Sequence, residues 1–251
     1  MSAAISLHVG LDSYGAGDYV IRPAAVRSAE ADARALAALA GAEGFTPTVL
    51  TGPRATRAEV RRVLREAIAL RAGSQLVISV SGHGVQIPDT PPDPVRPRPA
   101  SARNRRVGDE PDGFDEAWCL YDGFLVDDEL AEALAGFAAG VRIFVVSDTC
   151  HSGTMLPRAP AAAPPIAASI LHLAACDDTG WAFDRGDHGV FTGALLDVWA
   201  AGFAGSHPAL RDAVRARTVP LQRPVLTACG RIDVEFLAAD AAARGEHGAL
   251  Q

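Results

Sequence analysis

The chain has 251 residues, of which 49% are hydrophobic and 21% are charged, proportions typical of a folded globular protein. Its net charge of −7 disfavours nucleic acid as a partner. No apolar run is long enough to cross a bilayer, so no membrane contact is expected. The first residues lack the pattern of a secretory signal peptide, and the four cysteines are scattered without a CxxC pair. These features predict a cytoplasmic protein without a disulfide framework or a zinc site.

Hydrophobic periodicity predicts alternating strands and helices along most of the chain. Residues 22–40 carry apolar side chains at helical spacing, and Thr56 with Glu59 forms the capping-box pattern that begins a second helix. The elements expected, in chain order, are strand 5–11, helix 22–40, strand 46–51, the helix from residue 56, strand 76–81, strand 117–121, helix 127–137, strand 141–146, strand 169–175, helix 189–201, helix 208–217 and strand 224–229. This order predicts an α/β fold with a mostly parallel sheet and helices on both faces.

Two segments without periodicity interrupt this order. Residues 88–111 are rich in proline, glycine and arginine, which predicts a long exposed loop. Residues 157–168 are mostly proline and alanine, a composition typical of a linker. We therefore expect the regular elements to pack around these two segments and not through them.

Reactive side chains follow two of the predicted strands directly. Segment 81–84 reads SGHG and contains His83, and segment 148–153 reads DTCHSG and contains Cys150. The carboxyl ends of parallel strands form the edge at which open α/β sheets bind ligands. A thiol and an imidazole that meet at this edge would form a nucleophile and its general base.

Cys150 differs from the other cysteines because it lies beyond a strand, among polar residues. Cys119, Cys176 and Cys229 lie in apolar strand segments and are interpreted as small buried hydrophobic residues. His151 is adjacent to Cys150, and neighbouring side chains of an extended segment point to opposite faces, so His83 is the preferred base.

Small residues surround both candidates and leave backbone N–H groups available. The N–H groups of Gly84 and Cys150 are the predicted donors to the oxyanion of an acyl-transfer intermediate.

The two motifs together resemble the caspase-like cysteine peptidases of clan CD, family C14, and most of all the type I metacaspases and their bacterial relatives. A true caspase is disfavoured because the Gln-Ala-Cys-x-Gly motif is absent around Cys150. Further similarity to the metacaspases lies at Asp32 and at segments 112–116, 127–130 and 189–196. The resemblance implies a three-layer α/β/α sandwich around a mostly parallel sheet.

It also implies one peptidase domain over residues 1–251. A larger segment, residues 1–157, would be joined by the linker 157–168 to a smaller segment, residues 169–240. A monomer is favoured.

By the same resemblance, His83 and Cys150 form the catalytic dyad, and Asp32, Ser81 and Asp148 form the pocket for the substrate residue before the cleaved bond. Such a pocket accepts arginine or lysine, because two carboxylates bind a guanidinium through charge-assisted, often bidentate hydrogen bonds. The expected partners are proteins and peptides with a basic residue at that position.

Calcium activation is a further property that the resemblance implies, at Asp112, Asp115, Asp127 and Asp128. Carboxylates on loops suit this hard cation, although the peptidase chemistry itself needs no metal. The alternative is that Asp127 caps a helix and Asp128 is an acid of its first turn. The chain also departs from its relatives, because residues 155–158 contain no acid where relatives have an aspartate shortly after the cysteine.

Self-processing is also implied, and arginines in the two irregular segments are the candidate cleavage sites. These are Arg158 in the linker and Arg103, Arg105 and Arg106 in the long loop.

Two other functions stay open. One is a clan CD peptidase that prefers a different residue before the cleaved bond. The other is a catalytically inactive caspase-like binding or scaffold module, which the intact His83 and Cys150 disfavour.

Overall fold

The structure is a computed structural model that describes residues 2–19, 22–90, 100–102, 110, 112–156 and 165–238. The strands are β1 (Ala4–Gly10), β2 (Thr46–Thr51), β3 (Gln75–Ser81), β4 (Gly84–Pro88), β5 (Phe114–Leu120), β6 (Gly123–Val126), β7 (Arg142–Asp148), β8 (Ser169–Ala174) and β9 (Val225–Gly230). The helices are α1 (Ala29–Ala42), α2 (Arg57–Ala67), α3 (Asp127–Ala135), α4 (Val190–Ala200), α5 (His207–Thr218) and α6 (Val234–Ala238). No helix in these ranges is long and apolar enough to cross a membrane.

Six strands form the central sheet in the order β2-β1-β3-β7-β8-β9. The first five run parallel, and β9 pairs antiparallel with β8 at one end. The predicted α/β fold with a mostly parallel sheet is therefore confirmed. β7 and β8 are adjacent in this sheet although the predicted linker separates them in the chain.

Each face of the sheet has its own hydrophobic cluster, which β7 shows most clearly. Ile143 and Val145 pack with the apolar faces of α2 and α3, whereas Phe144 and Val146 pack with α1, α4 and α5. This alternation follows from the two-residue period of a strand. Burying one such aliphatic side chain stabilises the fold by about 1.5–3 kcal/mol. The result is three layers, with a sheet between two sets of helices.

The second sheet was not expected. It has three antiparallel strands in the order β4-β5-β6. The sequence analysis predicts only part of β5 and assigns no strand to the residues of β4 and β6. Both strands are short, five and four residues, so neither repeats long enough to show a clear alternation.

The first helix begins later than predicted. It starts at Ala29 and not at residue 22, because the preceding segment makes other contacts. The Arg27 N–H donates to an Asp184 carboxylate oxygen at 3.0 Å, and the Ala24 carbonyl lies against the ring of His83. Residues 22–28 therefore pass as irregular chain close to the end of β3 that carries His83.

The two predicted helix caps have different outcomes. The Glu59 N–H donates to Thr56 Oγ1 at 3.2 Å, so Thr56 caps α2 as predicted. The alternative in which Asp127 caps α3 is wrong, because the cap position belongs to Val126. Asp127 is the first helical residue, and its Oδ1 accepts the adjacent Asp128 N–H at 2.8 Å.

Two histidines lie buried in the central sheet, each beside a serine of a neighbouring strand. His8 Nδ1 is 2.7 Å from Ser79 Oγ, and His172 Nε2 is 2.5 Å from Ser147 Oγ. Burial lowers the pKa of His8 to about 4 and that of His172 to about 3. Both rings are therefore neutral at physiological pH.

This burial predicts a loss of stability in acid. Since the folded state binds a proton at His8 only near pH 4, whereas the unfolded chain binds it near the ordinary value, stability falls as the pH drops through this window. We expect His8→Gln to lower the free energy of unfolding at neutral pH. The substitution should also reduce the loss of that free energy between neutral pH and pH 4 by roughly 2–3 kcal/mol. Urea unfolding of both proteins at several pH values measures the difference. An equal loss of stability in acid for both proteins would contradict the prediction.

Candidate active site

The pairing of β3 with β7 places the two candidate catalytic residues at the same sheet edge. Its register pairs Ser81 with Asp148, and the Gly82 N–H donates to the Asp148 carbonyl at 3.2 Å. His83 and Cys150 each follow the paired residue by two positions. The structure therefore brings the imidazole and the thiol to neighbouring strand ends, as the sequence predicts.

Gly84 permits close contact between the two segments. A Cβ atom at this position would lie 2.1 Å from the Cys150 carbonyl oxygen and 3.1 Å from the Thr149 Cβ. Only a residue without a side chain fits so close to a backbone carbonyl. The N–H groups of Gly84 and Cys150 thus come from segments in direct contact, and their role as oxyanion donors stays a prediction.

His83 is held by three hydrogen bonds. Its N–H donates to the Tyr14 hydroxyl at 2.9 Å, and its carbonyl accepts the Cys119 N–H at 3.0 Å. Its ring Nε2 lies 3.0 Å from the Ala24 carbonyl oxygen. A carbonyl oxygen can only accept, so Nε2 carries the proton and Nδ1 keeps the lone pair. The ring is therefore oriented as a base through Nδ1.

The thiol of Cys150 is half-buried and touches the backbone of Ala182. The Ala182 N–H donates to Sγ at 3.4 Å. Burial raises the pKa of the Cys150 thiol, the Ala182 hydrogen bond lowers it, and the charge of Asp148 raises it again. Because the net effect is a raised pKa, the thiol is protonated near neutral pH and needs a base to become a nucleophile.

The other histidine of the motif is engaged elsewhere. His151 has a left-handed backbone with φ of 54°, and its Nδ1 lies 2.5 Å from the Asp178 carbonyl oxygen. Its ring makes an edge contact with Trp181 at 5.5 Å between centroids. This geometry agrees with the choice of His83 as the base.

The remaining cysteines differ from Cys150 in their surroundings. Cys119 and Cys176 are buried, as interpreted from the sequence, whereas Cys229 is only half-buried. The Cys176 thiol donates to the Thr149 carbonyl at 3.5 Å, and the nearby His172 is fully buried against Ser147. Of the four thiols, Cys150 is the one that follows β7, the strand paired with β3, whose end carries His83.

The predicted pocket residues Asp32 and Asp148 also meet, on the face of the sheet that α1 and α4 cover. Asp148 Oδ2 accepts the Thr192 N–H at 3.0 Å and the Thr192 hydroxyl at 2.7 Å. Asp32 Oδ1 is 2.7 Å from His188 Nδ1. Between them lies Gly189, where a Cβ would be 2.3 Å from Asp148 Oδ2 and 3.2 Å from Asp32 Oδ2. The two carboxyl groups thus converge on one glycine.

In the protein without substrate, the surroundings of these two carboxyl groups disfavour their ionisation. Burial, and then the charge of Asp148, raise the pKa of Asp32 to about 7. Burial also raises the pKa of Asp148 to about 6, against the hydrogen bonds from Thr192. The third predicted pocket residue, Ser81, has a buried hydroxyl without a hydrogen-bond partner among the described residues. Such a group of acids with a spare hydroxyl can bind a cation.

Several residues of the site are absent from the sequence prediction. Tyr14 acts through its hydroxyl, and Ala24 and Ala182 act through their backbone groups. No sequence motif indicates these contacts. Thr192 falls within the segment 189–196 that the resemblance singled out, but its bond to Asp148 was not foreseen. His188 stands one residue before that segment.

The structure buries three of the four aspartates predicted to bind calcium and leaves the fourth exposed. Asp115, Asp127 and Asp128 are buried, whereas Asp112 is exposed and accepts the Phe114 N–H at 3.1 Å. Burial, and then the charge of Asp115, raise the pKa of Asp127 to about 9. Among the described residues, no three His, Cys, Asp or Glu side chains are grouped so that they could hold a metal ion. Calcium binding at these residues therefore stays a prediction, and no catalytic step is assigned to the ion.

The predicted cleavage sites lie outside the described residues. This applies to Arg158 in the linker and to Arg103, Arg105 and Arg106 in the long loop.

Among curated proteins, the chain is similar to metacaspases. It is 37% identical over 90 residues to Metacaspase-1 of Arabidopsis thaliana, a match that covers 34% of this chain and 20% of that protein. It is 28% identical over 178 residues to Metacaspase-1A of Neurospora crassa, covering 63% of this chain and 34% of that protein. The chain therefore spans about a third or less of the length of these relatives.

Among solved structures, protein GSU0716 from Geobacter sulfurreducens is 33% identical, with a TM-score of 0.79 over 96% of this chain and 99% of that one. Caspase-1 from Spodoptera frugiperda has a TM-score of 0.58 over 92% of this chain and 88% of that one. Its 13% identity shows a shared fold alone. Residues 14–229 match the caspase domain family, peptidase C14. The chain thus belongs to the caspase domain family of cysteine-type peptidases.

Proposed function

We propose that the protein is a cysteine endopeptidase that cleaves proteins and peptides after arginine or lysine. The observation that carries the proposal is the meeting of Asp32 and Asp148 at Gly189, beside the strand end that presents Cys150. Membership of the peptidase family supports the chemistry. The acidic pocket supports the preference for a basic residue.

The chemistry follows from the arrangement of the dyad. His83 Nδ1 takes the proton from the Cys150 thiol, since Nε2 is engaged with the Ala24 carbonyl. The thiolate then attacks the substrate carbonyl carbon, and the N–H groups of Gly84 and Cys150 stabilise the oxyanion. His83 returns the proton to the leaving amine, which breaks the peptide bond and leaves an acyl group on Cys150. Water, deprotonated by His83, then attacks the acyl carbon. The bond to Cys150 Sγ breaks, the acid product leaves, and His83 returns the proton to the thiolate.

The pocket binds the basic side chain by relieving the repulsion between its own acids. Burial disfavours ionisation of both carboxyls in the empty pocket, and the charge of Asp148 adds to this at Asp32, as the raised pKa values of the two groups indicate. A guanidinium or ammonium group placed between them favours ionisation of both. Binding a cation therefore releases free energy that binding a neutral side chain does not.

Two rival functions make different predictions for simple reagents. An inactive scaffold module would leave Cys150 unlabelled by an irreversible thiol-reactive peptide that carries arginine. A peptidase of another specificity would be labelled, and in a peptide library it would prefer a residue other than arginine or lysine. The cytoplasmic location, the monomeric state and the lack of a nucleic-acid partner stay predictions.

Replacement of either dyad residue tests the mechanism. We expect Cys150→Ala to abolish cleavage of a fluorogenic peptide ending in arginine, because no nucleophile remains. His83→Ala should lower kcat/KM by ~10²–10⁴-fold, the usual contribution of a general base. Cys229→Ala is the control and should keep the wild-type rate, since this half-buried residue lies in β9. Activity that survives Cys150→Ala would refute the mechanism.

Gly84→Ala tests the close contact behind the dyad. The added methyl group would meet the Cys150 carbonyl, so the two segments must move apart. We expect a large loss of kcat with a protein that still folds. Gly41→Ala is a matched control, because a Cβ there meets no atom within 4 Å. Near-wild-type kcat for Gly84→Ala, judged beside circular dichroism of both variants, would show that the contact is not needed.

Calcium activation and self-processing stay separate predictions of the resemblance. We expect calcium to raise the rate of cleavage of the arginine peptide above that in chelator, and to produce new N-termini after Arg158, Arg103, Arg105 or Arg106. N-terminal sequencing of incubated protein identifies the cut, with Cys150→Ala as the control for contaminating proteases. A single intact band from an enzyme that cleaves peptides would argue against self-processing, and equal rates with calcium and chelator against activation.

A further inference from the structure

His188 contacts the pocket although neither the sequence motifs nor the proposed mechanism uses it. Its Nδ1 lies 2.7 Å from Asp32 Oδ1, and its side chain is 35% exposed, whereas that of Asp32 is 2% exposed. The Arg185 N–H donates to the His188 carbonyl at 3.0 Å, and the Gly189 N–H points at the Asp32 carboxyl at 3.2 Å. The backbone on both sides thus holds the imidazole against the buried acid.

Apart from His188, the charged side chain that acts on Asp32 is Asp148, while the charge of Arg27 acts on Asp184. Asp148 faces Asp32 from β7, and Asp184 acts on Asp148 from the loop before α4. Asp184 itself accepts backbone N–H groups, from Arg27 at 3.0 Å and Gly186 at 2.6 Å. Of the described side chains in contact with the Asp32 carboxyl, His188 is the one that can carry a positive charge.

We propose that His188 is a specificity-determining residue that keeps Asp32 ionised in the empty pocket through its ring N–H hydrogen bond. The proposal rests on the proposed function, in which this pocket receives arginine or lysine. A protonated Asp32 is neutral and must lose its proton before it can pair with a cationic side chain. By holding the carboxylate form, His188 prepares the pocket for a basic residue and not for a neutral one.

Removal of the His188 side chain should change the pH at which the pocket loses affinity for arginine. A hydrogen bond to the charged form lowers the pKa of a carboxyl, so removing it raises the pKa of Asp32 above its value of about 7. Affinity for arginine should then be lost at a higher pH than in the wild type. The reaction at Cys150 does not involve this hydrogen bond, so kcat should stay the same where Asp32 is fully ionised.

Two substitutions separate the hydrogen bond from the rest of the side chain. His188→Ala removes the donor, whereas His188→Asn keeps a neutral N–H donor at about the position of Nδ1. For an arginine peptide we expect His188→Ala to raise KM about fivefold near pH 7, the effect of one pKa unit, with kcat unchanged near pH 9. His188→Asn should restore most of the wild-type KM. A citrulline peptide, which is neutral, should show no such pH dependence.

A second measurement does not depend on activity. The side-chain carboxyl carbon of Asp32 can be titrated by NMR in substrate-free protein carrying Cys150→Ala, with Asp32→Asn to assign the signal. We expect the midpoint to move upward in His188→Ala and to return toward the wild-type value in His188→Asn. The same spectra show whether each variant is folded.

The two measurements distinguish failure of this inference from failure of the proposed function. A wild-type enzyme without preference for arginine over citrulline would refute the proposed specificity, while the NMR titration would still decide the role of His188. An arginine preference with the same pH profile and the same Asp32 midpoint in folded His188→Ala would overturn the inference alone. A uniform change in kcat and KM at every pH, with an unmoved midpoint, would assign His188 a structural role and also overturn it.

Discussion

The parallel pairing of β3 with β7 is the constraint on which the site depends. Its register places Ser81 beside Asp148, and His83 and Cys150 each follow two residues further on. A slip of one residue would turn the side chains of one strand to the opposite face of the sheet. Asp148 would then leave the layer of α1 and α4, where Asp32 and Thr192 receive it. One ladder of backbone hydrogen bonds thus aligns both the dyad and the pocket.

Ionisation of the two buried carboxyl groups in the pocket costs free energy, which the rest of the fold must offset. Asp32 and Asp148 are buried close together, and both have raised pKa values because burial and like charge disfavour ionisation. The two hydrophobic clusters, one on each face of the sheet, supply the stability that such a pair consumes. Perturbed acids of this kind are common where a protein binds a charged ligand, because the ligand relieves the perturbation.

Prediction from the sequence failed where an element depends on a distant partner. Residues 22–28 have helical spacing, yet they stay irregular because Ala24 and Arg27 bind groups near His83 and at Asp184. β4 and β6 are too short to carry a periodic pattern, and β5 pairs with both. Asp127 has the type of a helix cap, but its carboxyl serves the adjacent Asp128 N–H instead. In each case tertiary contacts outweigh a local preference.

The sequence by itself determined the alternation of strands and helices, the cap at Thr56 and the dyad candidates, because these follow from periodicity and from residue type next to a strand end. The pocket candidates Asp32, Ser81 and Asp148 came from the resemblance to metacaspases. Only the tertiary structure decided which nitrogen of His83 is free and which groups hold the two acids. The Ala24 carbonyl engages His83, Thr192 holds Asp148, and His188 holds Asp32. His188 lies 156 positions from Asp32 in the chain. Hydrogen bonds across such separations are set by how helices pack on the sheet, and local periodicity carries no record of that packing.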